Sequence, residues 1–289
     1  MNRFVSKTLA AIVVGAALGM TASIAVAQQP KPTAEPKKAP APHTIGSAKL
    51  IIADVKQSQT FFETAFGMKE VGHYNSKEVY DEPIMGFDSG ARLALFGALA
   101  EKPIKKSQYP VALIYVPNLD AVVKRLEDAK YTVNRLPAAQ SSTFKIAIAR
   151  EPSGNAIEIL ERPGTKMEVG GSKIIVDDRQ KAEDFFLRIF GSGIKSGQRY
   201  QTAAYDEVLM NFGEGAWLAL FQPKSEAPLP KSQYPVVAIY TSDFDAVKKR
   251  VEEAGLGFRP VKSSTLGRII IAKDPAGNGI EIIERTAAK

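Results

Sequence analysis

The sequence predicts an α+β protein made of two tandem copies of one unit, each copy a pair of strand–helix–three-strand modules. Two observations predict it. The first is a repeat: "KSQYPVALIYVPNLDAVVKR" from Lys106 matches "KSQYPVVAIYTSDFDAVKKR" from Lys231 at 13 of 20 positions, 125 residues apart. "YDEPIMGF" from Tyr80 answers "YDEVLMNF" from Tyr205, "LALF" from Leu93 returns at Leu218, and "SST" at Ser141 returns at Ser263, always in the same order. The second is that each copy alternates short β-branched runs with stretches of helical periodicity. Residues 46–163 and 168–286 therefore read as the two copies, joined by "PGTKMEVGG".

The N-terminus has a different plan. "MNRFVSK" places Arg3 and Lys7 before an apolar, small-residue run that ends in "AVA" at Ala25–Ala27. That is the pattern of a secretory signal peptide over residues 1–27, cleaved after Ala27, and it predicts a periplasmic protein with no stable membrane insertion once the leader is removed. Residues 28–45 contain "QQPKPTAEPKKAPAPH", five prolines and three lysines without apolar periodicity, which predicts an extended tether. The chain has no cysteine, which excludes disulfide and thiolate chemistry and agrees with export. Its formal charge is +7, and about +3 without leader and tether. With no basic stripe, that balance does not support nucleic-acid binding.

In the first copy, "AKLIIAD" reads as a strand and "QSQTFFETAFG" as a helix ending at a Gly67 cap. "EPIMGFD" and "ARLALFG" read as strands around a "DSG" turn at Asp88. "PVALIYV" follows, then "NLDAVVKRLEDAK", a helix capped by Asn118 with Leu119, Val122, Val123 and Leu126 on one face. "FKIAIA" and "AIEILE" flank "EPSGN", where Pro152 sets the turn, Gly154 supplies a positive φ and Asn155 tolerates one. The second copy repeats this as "DPAGNGIEIIER" from Asp274. Each terminal strand carries one glutamate, Glu158 or Glu281.

This pattern, with "FGMKEVG" at Phe66–Gly72 and both "GN-x-IE" motifs, resembles the vicinal oxygen chelate superfamily. That group includes glyoxalase I, bleomycin-resistance proteins and extradiol dioxygenases. The resemblance covers the chain beyond the tether. It implies two tandem glyoxalase-like domains, each a pair of βαβββ modules forming curled mixed sheets. The chain then looks like a fused pseudo-dimer, monomeric in solution. It also implies metal ligands on four strands of each site. Carried over, those positions fall on Ser47 and Gly171, Ala94 and Ala219, Val111 and Val236, and Glu158 and Glu281. Only the last pair can ligate, and one carboxylate does not hold a catalytic divalent ion. The two histidines do not restore the site: His43 falls in the tether, and His73 aligns with Gln198, so it reads as a surface or hydrogen-bonded residue. No metal and no cofactor are expected.

Period-two alternation suggests the other inward positions. Counting from Ser47 gives Lys49 and Lys173; counting from Val111 gives Tyr115 and Tyr240. Glu158, Glu281, Lys49, Lys173, Tyr115 and Tyr240 form a candidate acid–base set. If pairing follows a fused dimer, Lys49 and Ala94 share one cavity with Tyr240 and Glu281, and Lys173 and Ala219 share the other with Tyr115 and Glu158. The same residues also read as structural ion pairs and core rings. Ala94 and Ala219 leave room; Phe87, Phe96, Phe221 and Trp217 supply an aromatic wall, and Trp217 stands where the first copy has Arg92. Tyr80 and Tyr205 open "YDE", read either as a substrate gate or as an edge-strand charge. "KSQYP" and "SST" read as loop closures or anion contacts. No serine has a histidine partner for nucleophilic catalysis. The leading expectation is a binding protein for a small aromatic molecule. The alternatives are a metal-independent lyase or isomerase and an adaptor for a protein partner.

Overall fold

The computed structural model describes residues 41–76, 78–99, 105–137, 145–213, 215–224, 230–263 and 266–286. The leader, the tether through residue 40 and Ser141 lie outside them. Each copy contains the expected modules. The first runs β1 (His43–Ile52), α1 (Val55–Phe66), β2 (Lys69–Ser76), β3 (Tyr80–Gly86), β4 (Arg92–Ala98), then β5 (Ala112–Val116), α2 (Leu119–Asp128), β6 (Val133–Arg135), β7 (Ile146–Arg150) and β8 (Ala156–Glu161). The second runs β9 (Glu168–Ile175), α3 (Arg179–Phe190), β10 (Lys195–Gln201), β11 (Tyr205–Asn211), β12 (Trp217–Pro223), then β13 (Val237–Thr241), α4 (Phe244–Ala254), β14 (Phe258–Val261), β15 (Ile269–Lys273) and β16 (Gly279–Glu284). Among the described residues no helix is long and apolar enough to cross a membrane.

The strands form two eight-stranded mixed sheets, and neither sheet belongs to one copy. One has the order β14-β15-β16-β13-β1-β4-β3-β2, the other β10-β11-β12-β9-β5-β8-β7-β6. The exchange is made where β1 pairs antiparallel with β13, and β9 with β5. Each first half-copy thus finds its sheet partner in the other repeat, as in a dimer whose subunits have been joined end to end.

Local chemistry sets the element ends. Asp54 caps α1 by accepting from the Gln57 amide, and Gly67 ends it in the left-handed region at φ 69°. Asn118 caps α2, and Leu119, Val122, Val123 and Leu126 are its buried face, as the spacing predicts. Phe61 and Phe62 of α1, and Phe186 and Phe190 of α3, pack fully buried beneath the sheets.

Two features differ from the sequence reading. Strand β1 begins at His43, inside the segment read as tether, and His43 is 1% exposed. Its Nδ1 lies 2.8 Å from Thr241 Oγ1 and its Nε2 3.0 Å from the Phe190 carbonyl. Because a carbonyl only accepts, Nε2 carries the proton and Nδ1 accepts from the threonine hydroxyl. The other adds a role for Asn155: it was read only as tolerating a positive φ, and in its turn Gly154 alone adopts one, at 87°. The Asn155 amide group donates instead to the Ile51 carbonyl of β1 at 2.8 Å, and Asn278 donates to Ile175 of β9 at 2.9 Å. Each turn belongs to one sheet and holds the other.

Candidate functional site

A cavity of about 640 Å³ opens on the sheet that contains β1. Strand register explains its floor. Ser47 pairs with Arg92 and Ala238, Ala238 with Glu281, Glu281 with Ile271, and Ile271 with Arg259, so one row crosses the sheet. Two residues along, Lys49 pairs with Ala94. Lys49, Ala94, Tyr240 and Glu281 all line this cavity, and so do Phe96 and Tyr80. The cross-repeat grouping expected from a fused dimer is therefore what the fold builds. Ala238, rather than Val236, faces the cavity on β13; Val236 lies outside this lining and accepts the Lys49 amide through its carbonyl. Phe87 also lies outside the lining: it packs against the core, and its carbonyl accepts from Arg92.

The Lys49 ammonium is 2.6 Å from Glu281 Oε2 and 2.8 Å from Glu82 Oε1, with all three side chains nearly buried. Glu82 belongs to "YDE", whose charge was read as a gate or an edge device. Strand β3 lies between β2 and β4, so it is not an edge, and period two turns Glu82 inward. Although Glu82 Oε1 is at ion-pair distance from Lys49, it makes no hydrogen bond of good geometry. The contact is Coulombic and off-axis.

Electrostatics follow from counting buried charges. Burial alone would lower the Lys49 pKa, but the Glu281 and Glu82 carboxylates override it and hold the ammonium charged, well above its usual range. One positive and two negative charges leave a surplus. It falls on Glu82, whose pKa is raised by burial against the opposing pull of Lys49. Burial pushes Tyr240 up to about 12, helped by Tyr74 and Glu281 nearby.

The wall is aromatic. The Tyr80 and Phe96 rings stack at 5.5 Å between centroids, and Tyr234 lies 4.8 Å from Phe96. Tyr234 comes from "KSQYP", whose two copies close on each other: Gln233 N–H donates to the Lys105 carbonyl and Ser107 N–H to Ser232 Oγ. Ser263 of the second "SST" lies on the cavity lining with Lys262 and Arg259. His73, also on the lining, bridges Glu70 and Asp81 and is hydrogen-bonded as expected.

The other sheet repeats the floor. Lys173 lies 2.8 Å from Glu158 Oε2 and 3.0 Å from Glu207 Oε1, beside Ala219 and the Phe221 ring. Tyr205 packs on Phe221 at 5.0 Å. Here the copies part company. Trp217 donates to the Tyr115 hydroxyl at 2.9 Å, and the Arg162 guanidinium sits 3.5 Å from the Tyr115 ring centroid. In the first sheet the corresponding arginines turn away: Arg92 to Phe87, and Arg285 to Ala41 and Thr44. Sequence reasoning missed Glu82, Glu207 and Tyr234; the inward parity of "YDE" was the signal that would have found the glutamates.

A divalent ion does not fit these residues. Ser47, Ala94 and Ala238 offer no anionic or imidazole donor, and the point where Glu82 and Glu281 converge holds the Lys49 ammonium. No group of three His, Cys, Asp or Glu side chains suited to a metal converges among the described residues.

Comparison with known proteins agrees on the scaffold. Glyoxalase I from Zea mays superposes with a TM-score of 0.70 at 17% identity, over 84% of this chain and 92% of that one. A dioxygenase-like protein from Bacillus subtilis gives 0.66 at 14% identity, over 84% and 86%. At such identities the likeness shows the fold alone. A search of curated proteins finds no sequence match. Residues 44–159 and 169–282 match the family described as Glyoxalase/Bleomycin resistance protein/Dioxygenase superfamily, and the chain belongs to it.

Proposed function

We propose that the protein binds a small aromatic or polycyclic molecule in the cavity floored by Lys49, without a metal ion. The observation that carries this reading is the wall of Tyr80, Phe96 and Tyr234 around about 640 Å³, a size suited to a drug-sized ligand. Offset rings present faces on which a flat ligand stacks, and the few polar groups at the floor orient it. Lys49 is charged and ion-paired, so it is neither nucleophile nor base. Export to the periplasm belongs to the same reading and rests on the leader pattern at residues 1–27.

Native mass spectrometry of residues 28–289, purified without chelator, is the test. An organic mass retained by the wild type, and lost or weakened about tenfold in Phe96→Ala, supports the reading. A protein that carries no organic mass and binds none of a panel of aromatic compounds refutes it.

A second reading, a metal-independent lyase or isomerase, is favoured by one observation: burial raises the Glu82 pKa, which suits proton transfer nearer neutrality. Its mark is turnover that Glu82→Gln lowers by orders of magnitude while binding persists. Equal loss of binding and turnover leaves the site a receptor.

A further inference from the structure

The cavity floor has the form of a cation cage, and the protein supplies the cation. Glu281 comes from β16 of the second repeat and Glu82 from β3 of the first, yet their oxygens meet at one nitrogen, 2.6 and 2.8 Å away. Lys49 reaches that point from β1, past Ala94 and Ala238, whose small side chains leave the path open. The second sheet builds the same arrangement from other residues: Lys173 of β9 between Glu158 of β8 and Glu207 of β11, at 2.8 and 3.0 Å. A divalent ion bound to both carboxylates would lie roughly 2.0–2.6 Å from each oxygen, which is the space the ammonium fills. The two cannot coexist.

We propose that Lys49 and Lys173 are resident cations: each ammonium closes a two-carboxylate cage that takes up a divalent ion once the lysine side chain is removed. A tethered single charge behaves differently from a divalent ion. It leaves one negative charge in excess, so the floor does not attract a pair of oxyanions from a ligand. Resting on the ligand-binding reading, this assigns the inner end of the ligand to a group that donates hydrogen bonds or carries positive charge. The sheet row gives scale: Arg259 lies two strands from Glu281, about 10 Å across the sheet, so a positive rim faces a negative floor.

Manganese(II) is the probe, because carboxylate, hydroxyl and water donors suit it and its spin-resonance spectrum reports binding directly. Wild type, Lys49→Ala, Lys173→Ala, Glu281→Gln and Lys49→Ala/Glu281→Gln are titrated by calorimetry and spin resonance, and melted with and without the ion. Each single alanine variant gains one manganese site, about tenfold or more tighter than any wild-type binding, and its melting temperature rises with the ion. Adding Glu281→Gln abolishes the gain in Lys49→Ala. Manganese binding by the wild type that Glu281→Gln removes overturns the inference, because the cage is then not closed. So do two folded alanine variants that gain no site, or two that stay unfolded even with manganese present. If only one variant folds, its own gain or lack of a site decides. The readout needs no organic ligand, so failure here and failure of the aromatic-ligand reading are separately visible.

Discussion

His43 is sealed at the point where β1 meets β13, and its protonation is tied to folding. Burial lowers its pKa below 6.5, while the bond to Phe190 pulls the other way. Above 6.5 neither folded nor unfolded chain holds the extra proton, so its contribution is fully present. As pH falls below 6.5 the unfolded chain takes up a proton that the folded chain refuses, and stability is lost. His73 has the opposite sign: its bond to Asp81 raises its pKa, so its contribution is present at low pH and lost as pH rises beyond 6.5. We expect the melting temperature of the wild type to fall more steeply than that of His43→Gln between about pH 7 and pH 5. Parallel curves for the two proteins would show that the imidazole is not the titrating group. The sequence concealed this residue because the prolines and lysines before it, and Gly46 after it, outweighed the short β-branched pair Thr44–Ile45. Glu82 was concealed differently. The reading of "YDE" as a gate or an edge charge stopped at Tyr80; the parity that Glu82 shares with Tyr80, with β3 lying inside the sheet, places the glutamate at the floor. Glu281 was legible through the family's last-strand ligand position, and Lys49 and Tyr240 through strand parity counted from the family's other ligand positions.

At the scale of elements, the terminal turns show how a local signal acquires a distant partner. Asp-Pro-x-Gly-Asn predicts a hairpin from its own chemistry, and the hairpin forms, with Gly277 at φ 85°. What no turn rule contains is the side-chain bond from Asn155 to Ile51 or from Asn278 to Ile175, because those partners lie 104 and 103 residues away. Asn155 is further fixed by Glu151, which also accepts from Ser58 of α1. Replacing either asparagine by alanine removes its buried hydrogen bonds, among them the one to the other sheet, and costs about 1–3 kcal/mol. Denaturant unfolding of Asn155→Ala and Asn278→Ala measures this; a loss near zero in both would mean that water replaces the latch. Gly46 shows the same reach in another form. A Cβ there would lie 2.0 Å from the Tyr240 ring, so the bulge in β1 is shaped by a residue of the other repeat.

For the whole molecule, the repeat boundary legible in the sequence is not a boundary of folding. Each sheet takes four strands from each repeat, and the described part of Pro40–Lys289 is one compact unit. A chain of residues 41–165 alone therefore has two half-sheets with open edges at β1 and β5. It is expected to pair with a second copy of itself and sediment as a dimer, with Lys49 and Glu82 of one chain facing Glu158 of the other. A stable folded monomer of that length in analytical ultracentrifugation would refute the exchange of strands. The number of modules and their order were readable from periodicity and repetition, and the fold family from the resemblance carried by "FGMKEVG" and the two "GN-x-IE" motifs. Which half pairs with which was readable only by assuming a dimer's symmetry, because strand partners more than a hundred residues apart leave no periodic trace.

Joining the two repeats in one chain also changes what a single mutation can do. In a dimer of identical subunits every substitution enters both cavities at once, so neither can be altered while the other is kept. Here Trp217 and Tyr115 bond in one sheet, while Arg92 turns to Phe87 in the other, although the lysine and its two glutamates are the same in both. Covalent fusion has freed the two lysine-centred floors from having to inherit the same change, and their surroundings already differ.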